Sequence, residues 1–166
     1  SCRDLLENFG GHTYAAGLSL KEENLDAFTQ RFLKLAADEI IPEQMTPQID
    51  IDAVLDLQDI NAKFMSELKK MNPFGPDNQK PVFCSLGVKD YGTSKLVGKD
   101  LEHIKLELID DKSNTPIHGI AFGMHQHNTH IKNMKPFNIC YTIEENTYNG
   151  NTSLQLMVKD IKENDI

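Results

Sequence analysis

Residues 101–109 read Leu-Glu-His-Ile-Lys-Leu-Glu-Leu-Ile, and residues 137–145 read Phe-Asn-Ile-Cys-Tyr-Thr-Ile-Glu-Glu. In the first stretch Ile104, Leu106 and Leu108 alternate with His103, Lys105 and Glu107, and in the second Phe137, Ile139, Tyr141 and Ile143 alternate with polar residues. A period of two sends successive side chains to opposite faces, so each stretch predicts a strand with one core face and one wet face. Three further runs, Val82 to Tyr91, Pro116 to Phe122 and Ser153 to Asp160, have the same character. Asn149-Gly150 separates the last two of the five, and this dipeptide suits a hairpin turn whose central residues both need positive φ. The stretch from Gly123 to Pro136 leaves room for one short helix between the third and fourth runs.

Five antiparallel strands with an insertion after the third predict a small closed barrel of the oligonucleotide/oligosaccharide-binding (OB) type over residues 81–166. Upstream the period is helical. Ser19-Leu20-Lys21-Glu22 has the form of a capping box, Leu25, Phe28, Phe32, Leu35 and Ala36 fall on one stripe, and Pro42 stops the run, which predicts a helix over 21–40. Ile49, Ile51 and Ala53 alternate with Asp50 and Asp52 as a short edge strand would. Asp56 is placed to cap a second helix bearing Leu57, Ile60, Phe64, Leu68 and Met71 on one face, and Asn72-Pro73-Phe74-Gly75-Pro76 ends it and marks a boundary. The fold class is α+β, divided into 1–47, a linking strand and helix at 48–80, and the barrel.

The chain has 166 residues, 39% of them hydrophobic, enough to build a core. Lys and Arg number 17 against 25 Asp and Glu, a formal net charge of -8, which argues against a coat protein held to nucleic acid mainly by charge. The acidity is uneven: residues 1–79 carry 7 basic and 14 acidic side chains, residues 80–166 carry 10 and 11. The second half therefore has room for a basic face. No apolar run approaches the roughly 20 residues of a membrane span and no secretion signal precedes the first elements, which reads as a cytoplasmic protein. The cysteines, Cys2, Cys84 and Cys140, are too few and too scattered for a disulfide framework or zinc knuckle and read as reduced thiols.

Phe9-Gly10-Gly11-His12-Thr13-Tyr14-Ala15-Ala16-Gly17 is the most motif-like segment. Adjacent glycines let backbone N–H groups approach a phosphate, and a following His can donate to an oxygen or stack on a base. The plainer reading is a glycine turn with a structural His. With Pro73-Phe74-Gly75, Pro81-Val82-Phe83, Leu96-Val97-Gly98, His103-Ile104-Lys105, Gly119-Ile120-Ala121-Phe122 and the Asn146 to Ile161 segment around Tyr148-Asn149-Gly150, the motif resembles the carboxy-terminal part of the RecJ exonucleases of the DHH phosphoesterase superfamily. The resemblance covers nearly the whole chain. It implies that residues 1–47 end a DHH-associated (DHHA1) domain, that the barrel is an OB domain holding single-stranded DNA, and that the chain is a piece of a longer protein. It also implies catalysis by manganese or magnesium held in an amino-terminal DHH domain. This chain has no Asp-His-His triplet, so it is expected to hold no catalytic metal and to be inactive alone. Single-strand-binding protein or a helicase are further partners the resemblance suggests.

OB barrels bind with strands two and three and the loops joining strands one to two and four to five. Those places hold Tyr91, Lys95, Lys99, His103, Lys105, Tyr148 and Asn149, which with Gly10, Gly11 and His12 make up the candidate substrate-binding set. Against this, His103 and Lys105 are also what the wet face of any antiparallel strand carries. His125, His127 and His130 read as a solvated loop, Asp50 and Asp52 as the solvent side of an edge strand, and Asp110 to Asn114 as a turn. Nothing resembles a nucleophile elbow, P-loop or dinucleotide fingerprint. Two rival functions are an OB module that only braces a DHH-family enzyme, and a relative acting on cyclic dinucleotides, against which the barrel argues.

Overall fold

The computed structural model describes residues 1–148 and 150–164. The chain divides into two compact units, Ser1–Ile49 and a second from Asp50 onward, so most of the 48–80 link lies within the barrel's unit.

The first unit is a hairpin and a helix. Strands β1 (Asn8–His12) and β2 (Ala15–Ser19) pair antiparallel, with Gly11 opposite Ala16. Helix α1 (Leu25–Glu39) follows a 3-10 turn at Glu22–Asn24. The Ser19 capping box is not formed. Ser19 is the last residue of β2, its carbonyl accepts from the Glu7 N–H at 2.9 Å, and no side chain caps the turn or the helix. Phe28 and Phe32 stack with ring centroids 5.5 Å apart beside an open apolar groove of about 620 Å³, lined also by Leu6, Phe9, Leu18 and Leu35. One hairpin and one helix bury too little apolar surface to close a core, and no described side chain of this unit is buried.

The second unit holds β3 (Ala53–Val54), α2 (Ala62–Lys69), β4 (Phe83–Asp90), β5 (Lys95–Val97), β6 (His103–Ile109), β7 (Ile117–Ala121), α3 (Asn128–Lys132), β8 (Phe137–Tyr148) and β9 (Asn151–Glu163). The strands order as β3-β4-β8-β9-β7-β6-β5, and pairing of β4 with β6 closes a five-stranded barrel with β3 and β5 attached outside the ring. The purely antiparallel barrel expected from the alternation is corrected here: β7 runs parallel to β9 and β3 parallel to β4. The cause is topological. The α3 connection carries the chain past β7's neighbour, and the β8–β9 hairpin folds back so that its second strand, not its first, meets β7.

Ile104, Leu106 and Leu108 of β6, Phe137, Ile139, Tyr141 and Ile143 of β8, and Leu156 of β9 fill the barrel, and Ile131 of α3 plugs it. Leu57, Ile60 and Leu68 from the linking segment join this core. The linking strand is shorter and later than Ile49 to Ala53, because the hydrogen bonds to β4 run from the Asp52 N–H to the Val82 carbonyl and from Leu55 N–H to the Cys84 carbonyl, each at 2.8 Å. Asp52 is not merely solvated, since its carboxylate accepts from the Val82 N–H. The second helix also starts later than Asp56. Asn61 caps it by accepting from the Phe64 N–H at 3.1 Å, while Asp56 pairs with Lys112 and Met71 is exposed.

Two strands outrun their expected ends. β8 and β9 continue the ladder to Tyr148 opposite Asn151, helped by a Thr147–Thr152 hydroxyl bond of 2.9 Å. Gly150 in the intervening turn has φ +79°, as the hairpin dipeptide requires; Asn149 lies outside the described residues.

Candidate nucleic-acid interface

The connection from β4 to β6 begins on a buried carboxylate. Asp90, the last residue of β4, is 1% exposed and accepts from the Ser94 N–H at 3.1 Å. The Ser94 hydroxyl accepts from the Glu107 N–H at 3.0 Å and passes its own proton toward Asp90. Burial by itself would raise the Asp90 carboxyl, but the Ser94 hydroxyl, the Ser94 and Gly92 N–H groups and the Lys132 ammonium outweigh it and hold it below its ordinary value. These bonds fix Tyr91, whose ring is exposed and whose N–H donates to the Glu107 carbonyl at 2.8 Å.

β5 then pairs with β6, setting Lys95 opposite Lys105 and Val97 opposite His103. Lys105 lies between buried Ile104 and Leu106, so it points outward, and both lysines are exposed. Like charges directly opposite on a sheet repel. Among the described residues neither lysine, nor Lys99 in the turn between β5 and β6, has a carboxylate within ion-pair distance. Two unneutralised, apposed cations form a seat for an anion.

His103 is held differently from a phosphate ligand. Its Nδ1 accepts from the Gly123 N–H at 3.0 Å, so Nε2 carries the proton and faces Glu102 at 3.2 Å. With both nitrogens engaged it offers ring surface, and Phe122 stands against it edge to face, centroids 4.9 Å apart. Phe122, at the end of β7, is 54% exposed, and with Ile120, Lys105's partner on β7, it extends the outer face of β5 and β6. Glu107 adds one negative group to this face, bonded to Thr93 and beside His118. Sequence reasoning missed Phe122 and β5. An aromatic residue on the wet face of β7 was the available signal for the first, and three residues gave none for the second.

Of the other candidates, Gly10, Gly11 and His12 are in the first unit, in strand β1 rather than in a turn. Neither glycine has a left-handed φ, and both are paired strand residues of the hairpin. Gly11 is required by close approach, since a Cβ there would meet the Ala15 carbonyl oxygen at 2.7 Å. His12 is exposed at the end of β1, and its Nδ1 accepts from the Tyr14 N–H at 3.3 Å, leaving Nε2 as an outward donor. Tyr148 ends β8; its side chain and Asn149 lie outside the described residues. The histidine segment is a 3-10 turn and α3 rather than a solvated loop. Glu163 draws in His127 and His130, at 2.7 and 3.1 Å, and ties this helix to the end of β9. Among the described residues no three His, Cys, Asp or Glu side chains are grouped to hold a metal ion.

A family profile described as the RecJ OB domain matches residues 51–160, which takes in most of the link, most of the barrel and the Lys95–Lys105 face. The chain belongs to the RecJ OB domain family. It is 29% identical over 160 residues to the single-stranded-DNA-specific exonuclease RecJ of Bacillus subtilis, an alignment covering 96% of this chain and 20% of that protein. It is 28% identical to the RecJ of Salmonella typhimurium, over 95% of this chain and 27% of that one. It thus spans about a quarter or less of the length of these relatives. The crystal structure of Thermus thermophilus RecJ in complex with Mn2+ superposes on all of this chain and 23% of its own, with TM-score 0.76 at 21% identity, a likeness of fold. The fold is therefore RecJ-like, mixed α and β, with an OB domain. Among the described residues no helix is long and apolar enough to cross a membrane.

Proposed function

We propose that this chain is the substrate-holding carboxy-terminal part of a RecJ-like 5′-to-3′ exonuclease, and that its OB domain binds single-stranded DNA along the outer face of β5, β6 and β7. The observation that carries this is the Lys95–Lys105 pair, two exposed ammonium groups in direct register with no carboxylate within ion-pair distance among the described residues, next to the His103–Phe122 rings. Ammonium groups follow a phosphate backbone, and rings stack on any base. Lys99 and Tyr91 extend the track on either side. His12, with Nε2 outward and Gly10 and Gly11 in its hairpin, serves the strand near the scissile phosphate. In this reading residues 1–47 end a DHHA1 domain whose open apolar groove is closed by the rest of that domain. Metal-dependent hydrolysis belongs to a DHH domain of the same protein, and the work is cytoplasmic DNA repair and recombination, with single-strand-binding protein or a helicase as partners.

The test is a titration with fluorescent oligonucleotides over a range of salt. Changing Lys95, Lys99 and Lys105 together to Ala should leave the melting temperature nearly unchanged and lower the salt slope by about 2 units, roughly 0.7 per phosphate for single strands. Phe122→Ala should cost about 1–3 kcal/mol of affinity. No binding by the unaltered chain at low salt would instead support the bracing module.

A further inference from the structure

Cys84 on β4 and Cys140 on β8 stand directly opposite each other. Their neighbours Phe83 and Tyr141, also paired, point into the core, so alternation turns both thiols to the other face of the sheet. There they form the middle of a row across four strands, Val54, Cys84, Cys140 and Asp160, whose two ends are exposed. The Cys84 carbonyl accepts from the Leu55 N–H at 2.8 Å, on the β3 side. A strand residue's N–H and C=O point the same way, so Cys84 turns its hydrogen-bonding groups from β8, and the pair is of the non-hydrogen-bonded kind. In such pairs the Cα atoms approach to about 4.5 Å and the side chains are closest, inside the span a disulfide bridges. Among the described residues neither thiol has a competing strong partner, and the Cys140 Sγ reaches only the Asp160 carbonyl, at 3.9 Å.

We propose that Cys84 and Cys140 form a two-thiol modification site that a low-molecular-weight disulfide converts into a cross-strand disulfide. One protein thiolate attacks a sulfur of the small disulfide and expels one thiolate; the second protein thiolate attacks the resulting mixed disulfide at the protein sulfur and expels the other. The protein gives up two electrons and two protons, and the small disulfide takes both to become two thiols. Burial pushes both thiols up, and Asp160 and Cys84 push Cys140 up further, so the first attack is slow at neutral pH and quickens as pH rises. The second attack is intramolecular between side chains already opposed, so a mixed disulfide at either position closes rather than accumulates. Cys2, half-buried near the start of the other unit, has no opposed cysteine and stops at the mixed disulfide. The bridge ties the first barrel strand to the fourth, on strands that do not form the Lys95–Lys105 face.

The whole chain is incubated with oxidised glutathione at mildly alkaline pH, unfolded, alkylated and digested. The expected product is a peptide pair joined through Cys84 and Cys140 within one chain, with about 2 Da lost at the pair and a rise of several degrees in melting temperature that reductant reverses. Cys84→Ser and Cys140→Ser should each abolish both the joined peptide and the rise. Phenylarsine oxide, which needs two adjacent thiols, should be retained by the unaltered chain and by neither variant. Recovery of Cys84 and Cys140 both alkylated, after a treatment that glutathionylates Cys2, would overturn the proposal. So would joined peptides found only between chains.

Discussion

Replacing Asp90 by Ala tests whether one buried carboxylate builds the connection that carries Tyr91 and Lys95. In the folded chain it takes the Ser94 N–H, the Ser94 hydroxyl and the Gly92 N–H, with Lys132 Nζ 3.4 Å away, at a residue 1% exposed. Truncation leaves those donors facing a methyl group, and a buried unsatisfied donor costs about 1–3 kcal/mol. The three donors converge on one carboxylate and are not independent, so the three losses do not add in full, and about 3 kcal/mol is the working figure. For a domain of this size that is a fall of about 10 °C in melting temperature. The cost has a pH signature. The folded carboxyl is held below its ordinary 3.8, so the stabilisation is fully present above that value and is lost as pH falls through the lower folded one. The gap between the unaltered chain and Asp90→Ala, followed by thermal unfolding, should therefore be constant above about pH 5 and shrink below about pH 4. Oligonucleotide affinity should fall with it at neutral pH, since Tyr91 and Lys95 lose their anchor. A melting temperature within 2 °C of the unaltered chain, or a gap that widens on acidification, would show that the carboxylate does not organise this connection.

Three other outcomes follow from single contacts. The Ser85 hydroxyl donates to the Leu55 carbonyl and therefore accepts from Tyr141, both at 2.7 Å, so Ser85→Ala should cost more than Tyr141→Phe, about 3 against about 1 kcal/mol by chemical unfolding. Burial pushes Tyr141 up to about 12 from 10.0, so stability should be full below pH 10 and drop by about 2–3 kcal/mol as pH rises to 12, and Tyr141→Phe should lack this alkaline loss. Gly11→Ala should disorder the first-unit hairpin, seen as lost strand signal by NMR, because its Cβ would meet backbone at 2.7 Å, while Gly10→Ala meets nothing within 4 Å and should be tolerated.

What could be read in the sequence was what periodicity encodes. Alternation found the five ring strands, because a barrel strand with one wet face must alternate, and Asn149-Gly150 marked the long hairpin. Periodicity says which face is buried and nothing about direction, so the parallel pairing of β7 with β9 was invisible; it depends on where α3 sends the chain. The Ser19 capping box shows the limit of local signals: its residues suit a helix start, yet β1 pairs with the same segment and takes Ser19 into a strand. The Gly10-Gly11 motif shows the same limit in reverse. Two glycines read as freedom to turn, and here Gly11 instead allows two strands to approach.

The candidate interface was partly legible for a related reason. Lys95, Lys99, His103 and Lys105 were placed by their position around the expected second strand, but their arrangement was not. That Lys95 faces Lys105 is a matter of register, set by the three residues of β5, and no property of either side chain announces it. His103 changes character once its neighbours are known: the Gly123 N–H and Glu102 take its two nitrogens, and a residue placed only as a member of the wet face becomes the flank of an exposed ring. Under the proposed function, strand holding by this face would rest on pairs, Lys95 with Lys105 and His103 with Phe122, each made across strands. A change to one member acts through the other: Phe122→Ala removes a ring and also uncovers the edge of His103, whereas Lys105→Ala relieves the repulsion that Lys95 feels. Lys105→Ala should therefore leave folding unchanged or slightly improve it while weakening DNA binding, a separation of the two readouts that a lysine serving only to stabilise the sheet would not produce.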